Sequence, residues 1–132
     1  MINKVYLLWN TYETNELLTI GSLTKLDKGY IFKYGNDAKK AMSLGCFLPF
    51  NYTEENIYFD SLPYFFTQRM LKSKFNVETF GVDFQNKNEL DILTYGDAIK
   101  NNDNFRVISE QSFNTLKKEL PIWIEDKKSK KN

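Results

Sequence analysis

The chain of 132 residues contains no histidine. That absence removes the Ser-His-Asp and Cys-His nucleophile systems, imidazole metal ligation and any histidine-based pH switch. Cysteine is nearly as scarce. Cys46 stands alone, so neither an internal disulfide nor a thiolate metal cluster can form. It lies in the apolar run Gly45-Cys46-Phe47-Leu48 and, with no cationic neighbour to activate it, reads as a small buried hydrophobe. The six glycines are scattered singly, so neither GxGxxG nor GxxxxGK[ST] occurs and no loop is built to cradle a phosphate. No apolar run approaches the roughly 20 residues needed to cross a bilayer, and no signal-peptide core follows Met1-Ile2-Asn3-Lys4. A cytoplasmic protein is the expectation. An excess of either charge is missing too: 18 basic residues face 17 acidic ones, which leaves no global field for nucleic acid, membrane or acidic substrate. Adjacent carboxylates occur at Glu54-Glu55 and Glu125-Asp126, but neighbours in sequence point apart and make no general acid/base pair. Glu54-Glu55 reads instead as the first turn of a helix capped by Thr53. No cofactor, no metal site and no enzymatic activity are expected.

What the chain does have is apolar bulk. Hydrophobic residues make up 42% and aromatics 16%, with 11 Phe, 8 Tyr and 2 Trp, enough for the core of one domain. Lys4 to Trp9 reads as a first strand and Asn10 to Asn15 as a loop. Glu16 to Leu23 resumes a strand in which Gly21 marks a bulge or a close approach. Asp27-Lys28-Gly29 is a turn signal, and Tyr30 to Tyr34 forms the third strand of an antiparallel meander. Asn36 can cap a helix from Asp37 to Met42 that Gly45 stops. Phe47 to Phe50 is extended, and Pro63 suits the first turn of a helix through Met70 or Leu71, with Leu62, Phe66 and Met70 on one face. Leu90 to Tyr95 is a short helix stopped at Gly96, and Phe105 to Ile108 is a strand. Ser109 caps a helix to Leu120 with Phe113, Leu116 and Leu120 aligned. The expected fold is α+β, a small antiparallel sheet of about four to six strands with two or three packed helices. Residues 1–124 would form the domain and 125–132 a lysine-rich tail.

Two features bear on function. The stretch from Phe47 to Met70 holds Tyr52, Tyr58, Phe59, Tyr64, Phe65 and Phe66, more large rings than one helix face buries. They either mark a protein interface or pack inward on both sides. The alternation Tyr30-Ile31-Phe32-Lys33-Tyr34 could offer a stacking platform for single-stranded nucleic acid, aided by Lys127, Lys128, Lys130 and Lys131, or it could be core with a solubilising tail.

The order of short motifs resembles a known family. Val5-Tyr6-Leu7, Gly21-Ser22-Leu23, Tyr30-Ile31-Phe32-Lys33-Tyr34, Leu48-Pro49, Phe59-Asp60-Ser61-Leu62-Pro63 and the stretch Glu89 to Ile108 follow one another as in the N-terminal subdomain of HipA-type serine/threonine kinases. The family's Pro-Glu-Gly is here Pro63-Tyr64-Phe65, and the kinase core is missing. A stand-alone version is similar to HipS of tripartite HipBST toxin–antitoxin systems. The resemblance implies a HipA N-terminal subdomain-like fold and a non-catalytic antitoxin or accessory subunit. Such a subunit binds and inhibits a HipA/HipT-type kinase, alongside a helix-turn-helix HipB-like DNA-binding protein. On that reading Tyr64, Phe65 and Arg69, with Phe59 and Asp60 in the preceding loop, are the partner contacts, while Phe66 and Met70 belong to the core. Membrane association and direct nucleic-acid binding are not expected. The alternatives are a nucleic-acid-binding accessory domain and a mobile-element inhibitor of a host defence enzyme.

Overall fold

A computed structural model of the chain describes residues 2–14, 16–78, 88–95 and 103–116. In chain order the elements are β1 (Lys4–Asn10), β2 (Leu17–Lys25), β3 (Tyr30–Tyr34), α1 (Ala38–Ser43), β4 (Ile57–Phe59), α2 (Tyr64–Glu78), α3 (Glu89–Tyr95) and β5 (Phe105–Ser109). A further helical run, α4, covers 110–116. The strands form one antiparallel sheet in the order β4-β3-β2-β1-β5, so the fold is α+β as expected.

The meander follows from local chemistry. Thr11 closes the β1–β2 link: its amide donates to the Glu16 carbonyl and its hydroxyl accepts from the Glu16 amide, each at 2.9 Å. Gly29, at φ 84, makes the β2–β3 turn, where the Leu26 amide reaches its carbonyl at 3.0 Å. The irregularity at Gly21 is a bulge: Leu7 faces Gly21 and Leu8 faces Thr19, which leaves Ile20 as the extra residue. The close approach is there too, since a Cβ on Gly21 would lie 2.6 Å from both the Lys33 carbonyl and the Phe32 ring. At the far side, Asn104 and Asn10 exchange hydrogen bonds of 2.9 and 3.0 Å that seat β5 beside β1.

Alternation sorts the side chains onto two faces. Val5, Leu7, Trp9, Leu23, Tyr30, Phe32, Tyr34, Phe105 and Val107 line the core face, where they pack with Leu62 and Phe66 of the α2 segment and Leu90 and Leu93 of α3. The second face carries Tyr6, Leu8, Ser22, Ile31, Lys33, Tyr58, Arg106 and Ile108. On it, Phe113 of α4 stacks on Tyr6 with ring centroids 3.9 Å apart.

Several expectations shift. The residue flanking α1 is Asp37 rather than Asn36, and its carboxylate accepts the Thr19 amide at the bulge instead of a helical N–H. Gly45, at φ 98, ends α1 as expected. Glu54 and Glu55 lie in a bend, not a helix: the Thr53 hydroxyl accepts the Glu55 amide, and the chain runs on into β4, a strand the sequence reading did not include. The α2 helix continues past Leu71 to Glu78, because no proline or glycine interrupts the chain there. Ser109 does cap α4, its hydroxyl accepting the Ser112 amide at 3.2 Å. The Gly96 stop, the end of the last helix at Leu120 and the tail 125–132 lie outside the described residues.

Candidate functional site

The corner between β4 and α2 is where the predicted contacts fall. Its frame is set from within. Phe59 points to the core face and meets Phe50 at 4.9 Å, and Phe50 in turn meets Phe32 at 5.0 Å. Leu62 and Pro63 are buried, and the Pro63 carbonyl accepts the amides of Phe66 and Thr67 at 2.9 Å, starting the helix. The Thr67 hydroxyl donates back to the Leu62 carbonyl at 2.9 Å. Around this frame Tyr58, Asp60, Ser61 and Tyr64 are exposed, Tyr58 at 69% and Tyr64 at 77%. Two phenols thus flank an exposed carboxylate on a turn fixed by buried neighbours, an arrangement suited to contact and hydrogen bonding.

The five predicted contacts do not form one exposed surface. Tyr64 and Asp60 stand free of the core, and Phe59 is half-buried within it. Phe65 is half-buried, edge-on to Phe66 at 5.1 Å and to Phe105 at 5.2 Å. Arg69 turns inward: its guanidinium lies 4.3 Å from the Phe65 ring and 5.5 Å from Phe105, is ion-paired to Asp103, and leaves only 12% of its side chain exposed. Its Nε is buried and has no hydrogen-bond partner among the described residues. The clasp ties α2 to the start of β5 through cation–π contact and charge. Phe66, fully enclosed, and Met70, packed against the core, sit where the sequence reading put them.

The aromatic stretch therefore divides. Phe50, Tyr52, Phe59, Phe65 and Phe66 pack inward, while Phe47, Tyr58 and Tyr64 remain outside. Tyr58 is the site residue that sequence reasoning did not assign; the pattern Ile57-Tyr58-Phe59, closed by Asp60-Ser61, carried its signal as a short alternating strand. Tyr30, Phe32 and Tyr34 are all buried, so that strand offers no stacking platform. Burial pushes the Tyr30 phenol well above its ordinary range, and its hydrogen bond to Glu89 acts in the same direction. Burial likewise pushes Tyr34 up to about 12 against the opposing effect of its bond to Phe50, and Cys46 up to about 11 with a smaller contribution from the charge of Asp103. Cys46 is thus the inert, enclosed thiol its neighbours suggested.

On the second face, Tyr6, Thr19, Ser22, Lys33 and Phe113 border an open hollow of about 420 Å³. Among the described residues no group of acidic or cysteine side chains is placed to hold a metal ion, and no helix is long and apolar enough to cross a membrane. The chain matches no protein-family model, no curated protein and no solved structure.

Proposed function

We propose that this chain is a non-catalytic protein-binding module, a HipS-like antitoxin or accessory subunit that docks on a HipA/HipT-type serine/threonine kinase through the β4–α2 corner. The observation that carries this reading is the corner itself: Phe59, Leu62 and Pro63 anchor it, and Tyr58, Asp60 and Tyr64 project from it. A tyrosine held on a rigid turn gives large contact area at small entropic cost, which is why such rings dominate protein interfaces. The motif order from Val5 to Ile108 supports the choice of partner, and the role belongs in the bacterial cytoplasm. Phe65 and Arg69 act from behind the surface, holding α2 in place, rather than as direct contacts.

The test is titration of a purified HipA/HipT-type kinase with the full chain. Tyr64→Ala is expected to weaken binding about 10- to 100-fold, equivalent to about 1–3 kcal/mol, with an unchanged melting temperature. Phe65→Ala should lower both binding and stability. Absence of kinase binding at micromolar concentration, or indifference to Tyr64→Ala, would remove the proposal.

A further inference from the structure

The outer strand at the corner is open in three respects. First, β4 ends the sheet and pairs only with β3 among the described residues. Phe59 faces Tyr30, and its carbonyl lies on the β3 side, where a Cβ on Gly29 would come within 2.2 Å of it. Peptide groups of successive strand residues point to opposite edges, so the N–H and C=O of Tyr58 point away from β3 and out of the sheet. Second, Ile57 and Phe59 on the core face are only half-buried, while their partners Phe32 and Tyr30 on β3 are 0% and 4% exposed. Third, the flanks are of one sign. Between Ala41 and Gln68 the charged residues are Glu54, Glu55 and Asp60, with no lysine or arginine, and all three are exposed. Glu54 meets Lys39 at 3.8 Å with both side chains largely in water, and the adjoining turn adds one charge of each sign, Asp27 and Lys28.

The geometry points to the β4 edge as a strand-addition site for an extended segment of a partner protein that carries lysine or arginine among apolar residues. The segment pairs with the outward peptide groups of Tyr58, lays apolar side chains beside Ile57 and Phe59, and sets its cations near Glu54, Glu55 and Asp60. Main-chain pairing supplies register, and the acidic flanks supply selection against acidic segments. This inference deepens the reading of the corner as a docking surface and rests on it.

The experiment follows the Tyr58 amide of the full chain by nuclear magnetic resonance and hydrogen exchange. One probe is an eight-residue peptide of alternating lysine and valine, and its control alternates glutamate and valine. The basic peptide is expected to slow exchange at Tyr58 by about 10-fold or more, since a ladder hydrogen bond must open before exchange, and the acidic peptide should leave it unchanged. Tyr58→Pro, tolerated where the N–H faces outward, abolishes peptide binding without altering the thermal unfolding of the domain. Reversal of the three exposed acids (Glu54→Lys, Glu55→Lys, Asp60→Lys) exchanges the preference between the two peptides.

No protection at millimolar basic peptide, or equal protection by both peptides, overturns the proposal. So does a Tyr58 amide already protected in the free chain: concentration-independent protection means that the edge is covered within the chain itself, and concentration-dependent protection assigns it to a second copy. The two readings separate cleanly. Kinase binding lost in Tyr64→Ala but retained in Tyr58→Pro keeps docking through Asp60 and Tyr64 and removes strand addition. Protection by the basic peptide without kinase binding keeps the strand site and removes the kinase.

Discussion

At one edge of the sheet β5 buries Phe105 and Val107 on the core face and Ile108 on the other, leaving Arg106 exposed; at the other edge, β4 half-covers Ile57 and Phe59 and exposes Tyr58. The strands have similar apolar content, and the difference lies in what the following chain does. β5 lies beside α3 on the core face, is reached by the Arg69–Asp103 clasp from α2, and leads directly into α4, whose Phe113 stacks on Tyr6 next to it. After β4 the chain leaves at once through Asp60 and Ser61 and enters α2 beneath the core face, with nothing described on the outer side. An unprotected edge is a hazard unless it is kept short, charged or occupied. β4 meets the first two conditions, with three residues and acidic flanks.

The contrast can be broken by mutation. Phe105→Ala, at the enclosed edge, is expected to cost about 3–5 kcal/mol in urea unfolding, against about 1–2 kcal/mol for Ile57→Ala at the open one. Equal costs would show that the two edges are buried alike. The core beneath the sheet is probed by pH. The raised Cys46 thiol favours the folded state while it is protonated, so its contribution is intact below the ordinary thiol range near 8.5 and is lost as pH rises through about 11. Thermal unfolding of wild type should therefore weaken above pH 9 more steeply than that of Cys46→Ala, with the buried tyrosines adding their own loss at higher pH. A smaller effect is expected at the clasp, where Asp103→Asn leaves the largely buried guanidinium of Arg69 without its counter-ion and costs about 1–2 kcal/mol by chemical denaturation. Smallest of all, Tyr58→Thr should change stability by less than about 0.5 kcal/mol, because an exposed strand position tolerates another β-former. A larger loss would mean that the ring is already covered.

The meander was legible because its signals are local: alternation through Tyr30-Phe32-Tyr34, a glycine where the turn demands positive φ, and a glycine where Phe32 leaves no room for a Cβ. Ser109 and Gly45 were legible for the same reason. What could not be read depends on distant partners. Arg69 looks like a solvent-facing helix residue until Asp103, 34 positions away, is brought beside it. Asp37 is drawn from its helix to the Thr19 amide, 18 positions earlier. β4 escaped notice because three residues give alternation almost nothing to repeat. At the corner, composition announced a surplus of rings without saying which would face outward. That sorting came only when Phe50 and Phe66 had taken their places around Phe32.

One small contact has a wider bearing. The hydroxyl of Tyr34 donates to the Phe50 carbonyl and accepts the Phe50 amide, the latter at 2.9 Å, so a phenol performs for an irregular segment the service that a neighbouring peptide unit performs in a ladder. The segment from Cys46 to Asn56 is thereby freed from any need to become a strand. Its exposed positions Phe47 and Asn51 can vary while the rings beneath stay dry, whereas the oxygen atom of Tyr34 cannot be removed without leaving the Phe50 peptide groups unpaired.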